Sequence, residues 1–201
     1  MAQTTIVAVR EQVADYIRSE IISGELAPNQ KLTEEVLAQR FGVSRGRIRD
    51  VLLELSKEGL LVSRANKGTR VNTIASPEIQ NLMIKLRLQI ETFAIRKAAK
   101  KPSEAFLAEL KDALNLLSEK LKQGDFTEVT KADIAFHRVI VAEAGDEDLA
   151  NLWQPIVMRM RMNYKRISKP SQAVGEHEAI YNAIAKGDDK AAVEALKANI
   201  R

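Results

Sequence analysis

The chain has 201 residues, of which 45% are apolar and 29% charged, and it carries a net charge of +4 with five prolines, nine glycines and no cysteine. This composition describes an ordered, largely helical protein of one large or two small units, and it excludes a disulfide framework, a thiolate metal site and a thiol nucleophile. No apolar run reaches membrane length, and MAQTTIVAVREQVADYIRSEI carries charges through its apolar pattern and lacks a signal-peptide core, so a cytoplasmic protein is expected.

Val9, Val13, Ile17, Ile21 and Ile22 predict an amphipathic helix over 7–23, closed by Gly24. SGELAPNQKL then reads as a loop with Pro28 and Asn29 as turn residues, and Thr33 is placed to cap a second helix, TEEVLAQRF. Gly42 ends that helix and Ser44 caps a third after a very short connection, the spacing of a helix-turn-helix. The third helix runs to about Glu58, with Val51, Leu52 and Leu55 on its buried face. LLVSRA and GTRVNTI, separated by ANKG, then predict a hairpin. Helix, helix-turn-helix and hairpin make a winged helix over residues 1–73.

Arg45, Arg47 and Arg49 crowd the first turns of the third helix, where free N–H groups and the positive end of the macrodipole already point outward. Cations gather there to good purpose only when an anion arrives. Between Arg40 and Arg70 eight bases face three acids, which leaves the rest of the chain near neutral. Such a concentrated patch is the footprint of a nucleic-acid binder. Arg45 and Arg49 share one helix face and suit bidentate contact with guanine, whereas Arg47 points to a flanking phosphate and Ser44 to another. Lys67 at the hairpin tip, with Gly68 supplying the turn, would reach a minor groove or the backbone. The alternative reading is a charged face that is merely solvated.

Residues 74–201 predict an all-α antiparallel bundle. Ser76-Pro77-Glu78 is a strong helix start, and helices follow near 77–100, 103–122, 126–144, 146–168, 171–186 and 189–201, with Pro155 expected to kink or split the fourth. The chain has two histidines. His137 follows Asp133 by one helical turn and His177 lies on a later helix. A carboxylate and two imidazoles supply three corners of a divalent-metal site, although Asp-x-x-x-His is also a common hydrogen-bonded pair.

The stretch GELAPNQKLTEEVLAQRFGVSRGRIRDVLLELSKEGLLVSRANKGTRV resembles the GntR family of bacterial transcriptional regulators, and the helical remainder, through DIAFH and EHEAIYNAI, resembles the ligand-binding FCD domain of its FadR subfamily. The resemblance implies a homodimer on a palindromic operator of double-stranded DNA, responding to a small metabolite, often a carboxylate, held in the helical domain. Two positions depart from the family pattern. Glu35 stands where an arginine is frequent, and Gly46-Arg47 replaces Thr-Pro, so the operator sequence is not transferable from relatives.

The resemblance also implies that Asp133, His137 and His177 are metal ligands, with zinc the default and nickel or manganese as alternatives. Asn199 stands where relatives carry a third histidine. It would serve as a weak fourth ligand or as a hydrogen-bonding group for the effector. Arg87 matches an L-R-x-x-x-E pattern and would clamp a carboxylate, or equally pair with Glu91 at i+4. Arg159 and Arg161 alternate with methionines in VMRMRMNYKR, and one of them is a candidate to face the cavity.

An Asp/His/His centre could also activate water in a metal-dependent enzyme, but no acid, base or nucleophile accompanies it in the sequence. A winged helix can serve as a protein-interaction module, but three arginines in place of exposed apolar groups point to DNA. The sequence therefore predicts a DNA-binding transcriptional regulator, not an enzyme.

Overall fold

The computed structural model describes residues 2–64, 68–145, 147–162 and 170–200, and of residues 2–8 and 170 the backbone alone. Two compact units emerge, Met1–Ser76 with Met158–Asn163, and Pro77–Val157 with Tyr164–Arg201. Among the described residues no helix is long and apolar enough to cross a membrane.

In the first unit α1 (Ala2–Ser23), α2 (Glu34–Phe41) and α3 (Arg45–Lys57) form the helical part. Val13, Ala14, Ile17 and Ile21 of α1 are buried, as are Ile48, Val51, Leu52 and Leu55 of α3, and the two helices pack against each other. Arg18 closes this contact with a two-pronged ion pair to Glu58, Nε–Oε2 at 2.9 Å and Nη2–Oε1 at 2.7 Å. Gly42 ends α2 at φ 64°, in the left-handed region, so its N–H and that of Val43 turn back to the Ala38 carbonyl. That reversal sets the angle at which α3 begins. Ser44 then caps α3, its hydroxyl accepting from the Arg47 N–H. Thr33 has the extended backbone of an N-cap, but its side chain makes no capping bond to α2.

The predicted hairpin forms from β2 (Leu61–Arg64) and β3 (Gly68–Val71), paired antiparallel with Leu61 opposite Val71. A strand that the sequence did not announce, β1 (Lys31–Leu32), joins the other edge of β3, giving the order β1-β3-β2. Two residues are too few to display a period of two, and the pairing is fixed by the neighbouring loop. Asn29 N–H donates to the Val71 carbonyl, and Val71 N–H donates to Gln30.

The second unit holds α4 (Pro77–Ala98), α5 (Glu104–Gln123), α6 (Phe126–Glu143), α7 (Glu147–Arg161), α8 (Pro170–Ala185) and α9 (Asp189–Asn199). Side-chain caps start three of them. Ser103 accepts from Phe106, Asp125 from Thr127 and Glu128, and Asp188 from Ala191. Helix α5 packs on α6 and α8, α8 on α9, and α4 on α6 and α9, around Leu110, Leu117, Phe136, Ile140, Ile180 and Leu196. Helix α7 continues through Pro155, so of the expected kink or split the split does not occur, and it ends at Arg161; residues 163–168 of the expected helix lie outside the described residues.

Leu55 is wholly buried between α1 and α3. Leu55→Ala should destabilise the first unit by about 2–5 kcal/mol, measured by urea unfolding followed by circular dichroism.

Candidate functional site

Two sites emerge, one in each unit. In the first, the short α2–α3 connection leaves the start of α3 free. Ser44, Arg45 and Arg49 are exposed, Arg47 is half-buried, and Ile48, Val51 and Leu52 occupy the opposite, buried side. Period and fold therefore agree on which arginines stand clear of the core. Arg49 is held by Glu34 from the start of α2, Nε–Oε1 at 3.1 Å and Nη2–Oε2 at 2.9 Å. This pair lowers the Glu34 carboxyl below its usual range, chiefly through the hydrogen bond itself. Glu34 lies fifteen positions from Arg49, so no helical spacing foretold the pair.

Lys67 lies outside the described residues. Gly68 is exposed and opens β3 at φ +75°, with Lys31 from the unforeseen strand alongside it. A Cβ at Gly68 would sit 3.5 Å from Lys31 Cε. Arg70, another base of the basic segment, is committed to the loop, where Nη1 donates to the Asn29 carbonyl at 2.9 Å.

The second site lies inside the helical unit. Asp133 and His137 project from α6 and His177 from α8, with 5%, 0% and 2% of their surfaces exposed. One ligating atom from each lies within 4.8 Å of those of the other two. His177 Nε2 is 3.3 Å from Asp133 Oδ1, and Phe136 sets its ring edge-on to both imidazoles.

The hydrogen bonds define which nitrogen is free. His177 Nδ1 lies 2.7 Å from the Ala173 carbonyl oxygen, which can only accept, so Nδ1 carries the proton. His137 Nδ1 lies 2.7 Å from Glu91 Oε2. Both Nε2 atoms are buried and have no hydrogen-bond partner. Two imidazoles thus offer lone pairs beside a carboxylate, a donor set suited to a cation. Donation of the outer N–H to a carboxylate or carbonyl is the usual support of a metal-binding imidazole. The residues fit a divalent cation.

Glu91 was not among the candidates, yet it organises this region. It is 1% exposed, and its Oε1 accepts from Arg87 Nε at 2.6 Å and from Trp153 Nε1 at 2.7 Å, while Oε2 accepts from His137. Burial alone would raise the Glu91 carboxyl; the Arg87 guanidinium and the hydrogen bonds from His137 and Arg87 outweigh that and hold it below its usual range. Burial pushes the His137 imidazole below its usual range, against the pull of Glu91, and so favours the neutral ring. The signal for Glu91 was its position four residues after Arg87, both on the face of α4 that also buries Met83, Ala94, Ile95 and Ala98.

The remaining candidates fall elsewhere. Arg87 forms the ion pair with Glu91, the second of its two predicted roles. Asn199 Nδ2 approaches His177 at Nδ1, 3.4 Å away, rather than at the Nε2 that faces Asp133. With the proton of His177 on Nδ1, two donors face each other there, so this approach is a contact and not a hydrogen bond. Arg159 Nη1 donates to the Thr73 carbonyl at 2.6 Å, and Arg161 is buried.

Comparison with known proteins places both units. The family model for bacterial regulatory proteins of the gntR family matches residues 9–71, and the FCD domain model matches residues 82–201. The HTH-type transcriptional repressor RspR of Escherichia coli (strain K12) is 26% identical over 200 residues, covering 96% of this chain and 86% of its own. The HTH-type transcriptional regulator LutR of Bacillus subtilis (strain 168) is 31% identical over 204 residues, with coverage of 90% and 92%. Among solved structures, E. coli McbR/YncC shares the fold, with a TM-score of 0.79 at 19% identity, covering 96% of this chain and 93% of that one. The winged helix with its exposed arginines and the helical unit behind it thus belong to the GntR family of bacterial regulatory proteins with an FCD domain, a family of transcriptional regulators and not of enzymes.

Proposed function

We propose that the protein acts in the cytoplasm as a homodimeric repressor that binds a palindromic operator and changes its hold on it when a small carboxylate enters the FCD domain. The observation that carries the effector half is the pair of bare, buried Nε2 atoms on His137 and His177 beside Asp133. These three residues would hold a divalent cation, with zinc the first choice given two imidazoles and one carboxylate, and nickel or manganese next. A cation held by three protein ligands supplies Lewis acidity and open positions to which carboxylate oxygens bind. The buried Phe136 edge and the neutral His137 ring keep the cluster dry and ready to coordinate.

For DNA, Arg45 and Arg49 reach base edges in the major groove, Ser44 and Arg47 take flanking phosphates, and Lys67 with Gly68 forms the wing contact. Dimerisation has support on α4. Ile79, Leu82, Leu86 and Phe93 are 47%, 50%, 43% and 55% exposed, and they fall within about 60° of arc at the helical period. A second copy would cover this apolar stripe, and two winged helices would then meet two half-sites. Linkage sets the rule for control: the carboxylate shifts operator affinity only by as much as it prefers one arrangement of the protein over another.

Three measurements test the reading. Elemental analysis of purified protein should find a bound divalent metal that His137→Ala loses, and wild-type protein that takes up no cation when zinc, nickel or manganese is supplied would defeat the metal centre. In fluorescence anisotropy, Arg45→Ala or Arg49→Ala should weaken specific operator binding by about 1–3 kcal/mol while sparing more of the salt-sensitive, non-specific binding. Unchanged operator affinity in both variants would remove these residues from base reading. Leu86→Glu should sediment as a monomer; a dimer of wild-type stability would move the interface off α4.

A further inference from the structure

We propose that Glu91 is the positioning residue of the Asp133–His137–His177 centre, holding the proton of His137 on Nδ1 so that Nε2 is left to a cation. This rests on the reading of those three residues as cation ligands. His177 has its tautomer fixed by a backbone carbonyl, that of Ala173, which no side-chain substitution removes. His137 has no such backbone partner at Nδ1; its contact there is the Glu91 carboxylate, on a different helix and 46 positions away. One imidazole of the pair is therefore set by the main chain and the other by a single side chain.

The donors around Glu91 make the dependence unusually sharp. Oε1 accepts two N–H groups, from Arg87 and Trp153, and Oε2 accepts one, from His137. A carboxylate satisfies all three because both its oxygens accept. A glutamine has one accepting oxygen and one donating NH2. Its lower-energy orientation keeps the oxygen toward the two fixed donors, since neither the guanidinium nor the indole can give up its proton. The NH2 then faces His137 Nδ1, and two donors cannot share that contact. His137 can respond by moving its proton to Nε2, because the neutral ring chooses its tautomer by the hydrogen bond it makes. A protonated Nε2 cannot ligate a cation. Glu91→Gln, nearly isosteric, thus removes a ligand without touching one.

The test uses the full chain, stripped of metal by chelation and labelled with nitrogen-15. The two histidines report separately, His177 serving as the internal reference. In wild-type protein both rings should show a protonated Nδ1 and a bare Nε2. In Glu91→Gln the His137 signals should change to the Nε2–H pattern while those of His177 stay. Zinc titration of the same samples should show affinity falling by at least about 10–100-fold, the usual effect of losing a support outside the ligand shell. Wild-type His137 protonated on Nε2 would overturn the proposal, and this reading needs no variant to fold. A folded Glu91→Gln protein that keeps the Nδ1–H tautomer and wild-type zinc affinity would overturn it as well. Wild-type protein with the expected tautomers that binds neither zinc, nickel nor manganese would instead overturn the underlying metal centre, and the positioning role with it.

Discussion

A single buried negative charge holds the helical unit in register. Glu91 draws Arg87 from its own helix, His137 from α6 and Trp153 from α7 onto one carboxylate with 1% exposure. A carboxylate so far from water costs several kcal/mol to desolvate, and any slip of α6 or α7 that broke a donor contact would leave part of that cost uncompensated. The charge is therefore a weak contributor to net stability but a strong constraint on geometry. Hydrophobic side chains such as Ile95, Ile140 and Val157 would tolerate small shifts between these helices; three hydrogen bonds to one carboxylate do not.

The DNA-binding unit solves an opposite problem. There the surplus is positive and exposed, with three arginines at the start of a helix whose dipole adds to the repulsion. Ser44 satisfies one amide and Glu34 pairs with Arg49, so part of the surplus is neutralised within the unit before any phosphate arrives. The pair is exposed and screened, which keeps its contribution small and leaves Arg49 easily exchanged to the guanine edge proposed for it. A buried ion pair in that position would have fixed Arg49 to the protein.

Much of this was readable in the sequence where the information is local. The helix-turn-helix follows from Gly42 and Ser44 between two periodic segments, and the Asp133–His137 pair from one turn of helix. Arg87–Glu91 was readable as one of two outcomes, because i,i+4 spacing permits an ion pair but does not say whether solvent or core surrounds it. Strand β1 escaped because two residues carry no period. The link from Glu91 to His137 escaped because it joins different helices. Asn199 shows a further limit. The residue could be placed near His177, but not on which side of the ring, and it lies toward Nδ1. Sequence patterns record which face of a helix a residue occupies; the direction of a lone pair is settled by tertiary packing.

The buried constraint lies on α4. The helix begins at Pro77, and only residues 72–76 separate it from Val71, the last residue of the wing's central strand. The same helix carries Glu91, whose carboxylate is bonded to a candidate ligand of the cation. Anything that changes how His137 sits must either break that short hydrogen bond, leaving a buried donor and acceptor unmet, or carry α4 with it. Breaking costs about 1–3 kcal/mol or more when a charge is involved, comparable to the 1–3 kcal/mol of a typical allosteric coupling. A stiff link of that size is what a ligand site requires if its occupancy is to be felt along the helix; Leu or Met in place of Glu91 would fill the space and transmit far less.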